Sequence, residues 1–209
     1  MKRPLFTLVT VGIIAAIVLL WQRPDKLPQA DTQQNLFFPD YDAKQVVHIE
    51  IEQLLYGAQL KKVGEDWQVA SLVSRAKQDL LKNELRPMPK ITWSPADRSR
   101  INAALGVFGD LERGVVVSRN PEKQALYQVG AQGLQVRLFD AQQQLLGNII
   151  IGKNGPDVVS SYARRADELE VYLLSQSLLG VFSIEADDWK LRAEAASAPT
   201  ETLSASPKK

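Results

Sequence analysis

From Val47 onward, hydrophobic and polar residues alternate strictly, with Val47, Ile49 and Ile51 pointing one way and His48, Glu50 and Glu52 the other. A period of two predicts a strand with one side in a core and one in water. Residues 59–63 and 67–70 read as two further strands around the turn Gly64-Glu65-Asp66, completing a small antiparallel meander. The alternation returns over residues 134–139 and turns at 140–144. It comes back over 145–151 as a mostly apolar run, the pattern of a strand covered on both faces. Residues 115–117, 158–165 and 171–175 add shorter strands.

Two segments carry a helical period instead. Residues 72–85 place Leu72, Val73, Ala76, Leu80 and Leu81 near one stripe, and Pro87 and Pro89 stop the helix. In the second, Ser94 is the expected cap, Pro95 the first helical position and Asp97 a first-turn acid. Ile101, Leu105, Phe108 and Leu111 form its apolar stripe, Gly106 and Gly109 weaken it, and Gly114 ends it. A helical turn or tight loop is expected at Asn120-Pro121-Glu122, and a short helical segment over 177–182. The expected fold class is α+β, an antiparallel-sheet domain with one or two packing helices. Strands followed by a helix occur twice, which admits two similar halves, although the residues themselves do not repeat.

The longest apolar run stands apart from that domain. Residues 4–21 hold no charged side chain, and eleven of them are Leu, Ile, Val or Phe. As a helix they cover roughly 27 Å, close to the thickness of a thin bilayer. The run predicts a signal-anchor transmembrane helix over residues 1–22, a single membrane span with Trp21 at the interface. A cleaved signal peptide has a shorter apolar region and a small-x-small site, which this run lacks. Residues 23–34, with Pro24 and Pro28, are the expected linker, and 35–192 the extracytoplasmic α+β domain. Residues 193–209, rich in Ala, Ser, Pro and Thr, are an expected disordered tail.

Composition narrows the chemistry. With 25 Lys and Arg against 24 Asp and Glu, the net charge is +1, no electrostatic footprint for nucleic acid. The absence of cysteine excludes disulfides, thiolate metal sites and thiol catalysis together. His48 is the one histidine and shares its strand face with Glu50 and Glu52, so a carboxylate-histidine metal site is the sharp reading and a solvated polar face the bland one. No serine stands in a G-x-S-x-G elbow that would use His48 in a triad. Gly152-Lys153-Asn154-Gly155 lacks phosphate-loop spacing and reads as a glycine turn between strands, with positive φ at a glycine or Asn154. Arg75, Lys77, Lys82, Arg86, Lys90, Arg98 and Arg100 outnumber Asp79, Glu84 and Asp97, a basic region suited to anionic lipid or a partner's acidic face. Trp67, Trp93, Trp189 and the Phe37-Phe38 pair read as core or lid packing, while an exposed cluster around Trp93 and Met88 would mark a docking patch.

Several of these features occur in an order that resembles the bacterial domain-of-unknown-function family 4340. They are Phe38-Pro39, the strand over 46–51, the strand pair closing on Trp67, Pro95-Ala96-Asp97, Val117-Ser118, and Leu126-Tyr127-Gln128-Val129. The strand end Ile150-Ile151-Gly152-Lys153, then Tyr162-Ala163-Arg164 and Val171-Tyr172, continue the series, so the resemblance covers residues 36–192. Gln128-Val129, where a Gly-Leu pair is usual, and a long insertion over 72–90 depart from it. The resemblance implies a single-span or lipid-anchored protein encoded beside subunits of an ABC-type exporter, and it brings no catalytic residue. The expectation is thus a non-enzymatic accessory or binding module in the bacterial envelope, with no cofactor, metal or catalytic residue assigned. Its expected partner is a protein of a membrane transport complex. Its expected place is the inner membrane, N-terminus cytoplasmic and C-terminal domain periplasmic or extracellular. The alternatives are a periplasmic hydrolase or metal-dependent enzyme using His48, Glu50 and Glu52, and a structural envelope-assembly module.

Overall fold

The computed structural model describes residues 35–192. Its first strand, β1 (His48–Gln53), follows the alternation, burying Ile49 and Ile51 and leaving His48, Glu50 and Glu52 on the other side. β2 (Tyr56–Val63) and β3 (Asp66–Val73) make a hairpin in full register from Tyr56↔Val73 to Val63↔Asp66. Gly64 closes it at φ +62°, a left-handed conformation that costs glycine nothing sterically.

After the hairpin come α1 (Arg75–Asn83), the two-residue strand β4 (Ser94–Pro95) and α2 (Arg98–Gly109). β5 (Val115–Ser118), β6 (Leu134–Phe139), β7 (Leu145–Asn154), β8 (Ser161–Arg165) and β9 (Val171–Leu174) complete the set. All nine strands join one sheet in the order β4-β3-β2-β1-β6-β7-β8-β9-β5, every pairing antiparallel. The pairing of β1 with β6 fuses the early and late meanders. The two-halves expectation is therefore corrected to one continuous sheet.

The expected anchor at 1–22, linker at 23–34 and tail at 193–209 lie outside the described residues. Among the described residues no helix is long and apolar enough to cross a membrane. The nine residues of α1 and twelve of α2 span roughly 14 and 18 Å, well short of a bilayer core of about 30 Å. The anchor-plus-sheet fold class, with its transmembrane and signal-anchor reading, is corrected for the described residues: their fold is a nine-stranded antiparallel sheet with two α helices and no membrane-spanning helix.

Two local corrections share one cause, the pull of the sheet on residues with helical signals. Leu72 and Val73 pair with Gly57 and Tyr56 in β3, so the first helix begins only after Ser74, whose Oγ accepts from the Lys77 N–H at 3.3 Å. Ser94 pairs with Val69, and the cap passes to Asp97, whose carboxylate accepts from the Ser99 and Arg100 N–H groups at 2.9 and 3.1 Å. The α2 helix ends at Gly109, not Gly114, and a Cβ on Gly114 would collide with the Leu173 carbonyl. No helix forms over 177–182; a 3-10 turn follows instead at Ala186–Trp189. The expected turn after Asn120 is present as a 3-10 turn, Pro121–Lys123.

One apolar face of the sheet shares its core with α2. Ile49, Ile51, Leu60, Val136, Leu138, Ile149 and Ile151 join Ile101, Leu105 and Phe108 there, and the Phe38 ring stacks on Phe108 at 4.5 Å. On the reverse face Ile150 packs with Val129 and Val171 under Tyr127 and Tyr162. Residues 149–151 of the expected two-sided strand are thus covered on both sides, while Leu145 at its start is exposed.

Candidate functional site

Glu50 and Glu52 do project together, but across the sheet they meet a cation. Arg137 on β6 stands opposite Glu50 in register. Its Nε donates to Glu50 Oε2 at 2.9 Å and its Nη1 to Glu52 Oε1 at 2.8 Å. Arg137 is only 5% exposed. Burial works against its charge, yet the hydrogen bonds and charges of Glu52 and Glu50 outweigh it and raise the guanidinium pKa above its ordinary value. Glu52 Oε2 is buried without a hydrogen-bond partner, so that carboxylate leans on Arg137 alone.

His48 lies beside the triad without completing a reactive cluster. Its ring stacks on Phe139 at 5.4 Å, and burial pushes its pKa below 6.5 against the opposing pull of Glu50 and Gln143. At neutral pH the imidazole is uncharged. A metal ion or a general base would need carboxylates released from Arg137, and breaking a buried ion pair is costly. Among the described residues no group of three or more His, Asp or Glu side chains is placed to hold a metal ion. Arg137 escaped the sequence reading, although a cation at a polar position of an alternating strand was the available signal.

The Gly152-Lys153-Asn154 stretch lies inside β7 rather than in a turn. A Cβ on Gly152 would collide with the Tyr127 carbonyl, so close backbone approach explains that glycine. The turn is displaced to Gly155 and Ser160, whose N–H and carbonyl pair at 2.9 Å, and Asp157 accepts from the Ser160 N–H at 3.0 Å and from its hydroxyl. The positive φ falls on Val158, at +64°.

The surface between α1 and β4 differs in kind. Residues 84–93 form no helix or strand, and Leu85, Met88 and Ile91 are exposed, Leu85 by 93%. Trp93 is half-buried, with the Lys61 ammonium 3.9 Å from its ring centre. Trp67, Trp189, Phe37 and Phe38 are core residues, as expected of them. The basic region separates into two groups. Arg98 pairs with Glu65 at 3.1 Å and Arg100 covers the Trp189 ring at 5.1 Å. Lys82, in the last turn of α1, is exposed, as are Arg86 and Lys90 along the irregular segment, Arg86 paired with Glu84 at 3.0 Å.

Comparison with known families bears on this same region. A family model described as Domain of unknown function (DUF4340) matches residues 87–204. The chain belongs to that family. The DUF4340 match takes in α2, every strand from β4 to β9 and part of the exposed segment, while β1, β2 and β3 lie before it. No curated protein and no solved structure matches the chain.

Proposed function

We propose that this DUF4340 chain is a non-enzymatic binding module that docks on a protein partner in a membrane transport complex. An ABC-type export assembly is the class that the family resemblance implies. The observation that carries the reading is the exposed segment over 84–93, where Leu85, Met88 and Ile91 stand in solvent with Arg86 and Lys90, just past Lys82 at the end of α1. Apolar side chains interspersed with cations suit a partner that offers an apolar patch with an acidic border. The Arg137 triad weighs against the hydrolase alternative, because the two carboxylates it would need are already engaged.

Coexpression of the full chain with the permease and nucleotide-binding subunits of its neighbouring exporter, followed by gentle pull-down, tests the reading. The permease should copurify with the parent chain and be lost with a Met88→Asp/Ile91→Asp variant whose unfolding midpoint is unchanged. No copurifying permease, or equal recovery with the variant, would overturn it.

A further inference from the structure

Glycine and asparagine are the usual residues at a left-handed backbone position, because a larger side chain is crowded there by the neighbouring carbonyl. Two hairpin turns of this fold hold large apolar residues in that conformation instead. Leu54 of the β1–β2 turn has φ +52° and Val158 of the β7–β8 turn φ +64°. For a β-branched residue such a φ is an outlier, and backbone strain of this kind points to a use for the side chain. Burial inside the fold is not that use. Leu54 is 58% and Val158 69% exposed, and Tyr56 and Val159 beside them are exposed as well.

Strand register puts both turns at one end of the sheet. Gln53 pairs with Tyr56 across the first and Asn154 with Ser161 across the second, while in the strands between them Glu52 stands beside Gln135 and Leu134 beside Ile151. Charge also separates the two ends. Arg75 and Lys77 open α1 at the apolar end, where Val73 pairs with Tyr56, and Lys153 precedes the β7–β8 turn. None of these three cations has an ion-pair partner among the described residues. Asp157, the acid within the β7–β8 turn, accepts from the Ser160 N–H. At the opposite end the β2–β3 turn brings Glu65 and Asp66, the β6–β7 turn Asp140, and the β8–β9 turn Asp167, Glu168 and Glu170. Arginines pair with only four of these six acids, Glu65, Asp167, Glu168 and Glu170.

We infer that the end bearing Leu54 and Val158 is a peripheral contact surface for an anionic lipid bilayer. Leu54, Val158 and Val159 enter the boundary between headgroups and acyl chains, Tyr56 lies at headgroup level, and Arg75, Lys77 and Lys153 face the lipid phosphates. The Lys77 ammonium, 4.3 Å from the centre of the Tyr56 ring, already stands beside that aromatic. Apolar side chains on separate turns suit a yielding planar surface, whereas a folded partner would need a matching hollow for each. The acidic end is held away from the lipid by the same charge. Contact of this kind needs no membrane-spanning helix, and it uses residues outside the 84–93 segment, so it stands apart from the docking proposal.

The chain has no cysteine, so one introduced thiol labels one position. The full chain carrying Val159→Cys, or Val63→Cys at the β2–β3 turn as the control, is labelled with an environment-sensitive nitrobenzoxadiazole dye. Each is mixed with vesicles of equal parts phosphatidylcholine and phosphatidylglycerol. Emission from position 159 should rise, shift to the blue and be quenched by nitroxide-bearing lipid, and emission from position 63 should change little. Omitting phosphatidylglycerol, or adding Arg75→Gln/Lys77→Gln/Lys153→Gln, should reduce the quenching at 159. Leu54→Asn/Val158→Asn should reduce it too, with an unfolding midpoint unchanged or raised, since asparagine tolerates the left-handed backbone. No quenching at 159, equal quenching at 63, or quenching indifferent to both sets of substitutions would overturn the inference. A signal at 159 that needs a protein in the vesicles would overturn it as well. Should a substituted chain fail to fold, the two labelled positions decide alone.

Discussion

On one face of the sheet, Ile49, Ile51, Val136 and Leu138 of the two central strands share a core with Phe108 of α2. On the other face the same two strands present Glu50, Glu52 and Arg137, joined by bonds of 2.9 and 2.8 Å. One backbone pairing is sealed by two kinds of chemistry. Burial of apolar side chains is non-directional and sums over many contacts, each small. The ion triad depends on two hydrogen-bonded contacts of defined geometry, and its parts are worth little except together. The helical face should therefore lose stability in proportion to the volume removed, and the triad face should fail when one member is taken away.

The largest effect is expected on the helical face. Phe108→Ala removes a ring that is 1% exposed and stacked on Phe38, and should destabilise the fold by about 4 kcal/mol in urea unfolding. Arg137→Ala should cost somewhat less, about 3 kcal/mol, by stranding two carboxylates in a largely buried place. The comparison is sharpened by replacing the whole triad, Arg137→Met with Glu50→Leu and Glu52→Leu. If geometry between the charges matters more than their presence, that variant should recover to within about 1 kcal/mol of the parent. A triple variant as unstable as Arg137→Ala would show instead that the polar face needs its charges.

The smallest effect concerns His48, beside the triad. Its pKa in the fold lies below 6.5, its ordinary value, so protonation is easier in the unfolded chain. As pH falls from 6.5 toward the lower folded value, the unfolded state binds more protons and stability declines; above 6.5 the contribution is constant. His48→Gln should remove that decline. Urea unfolding of the two proteins at pH 8 and about 5.5 reads the difference. Parallel behaviour of parent and variant would mean that burial does not hold the imidazole neutral.

Much of the strand architecture was legible because its signal is local. The alternation over residues 134–139 marks β6 with its observed ends, and Ile49 and Ile51 are buried as their spacing requires. Helix starts were misread where a local cap competed with a distant strand. Ser94-Pro95 has the form of a helix start, yet Val69 takes Ser94 into the ladder and Asp97 caps in its place. The candidate docking stretch was partly visible, since Pro87 and Pro89 stop a helix and Met88 lies between them. The Arg137 triad was not, because its partners are 87 and 85 residues apart in the chain.

Local sequence dictates the period-two strands and the apolar side of each, because neighbouring side chains set both. Tertiary structure alone decided that β1 lies against β6, and with it that Glu50 and Glu52 hold an arginine and not a metal ion. Charge and shape complementarity between distant segments depends on strand order, and strand order carries no local signature.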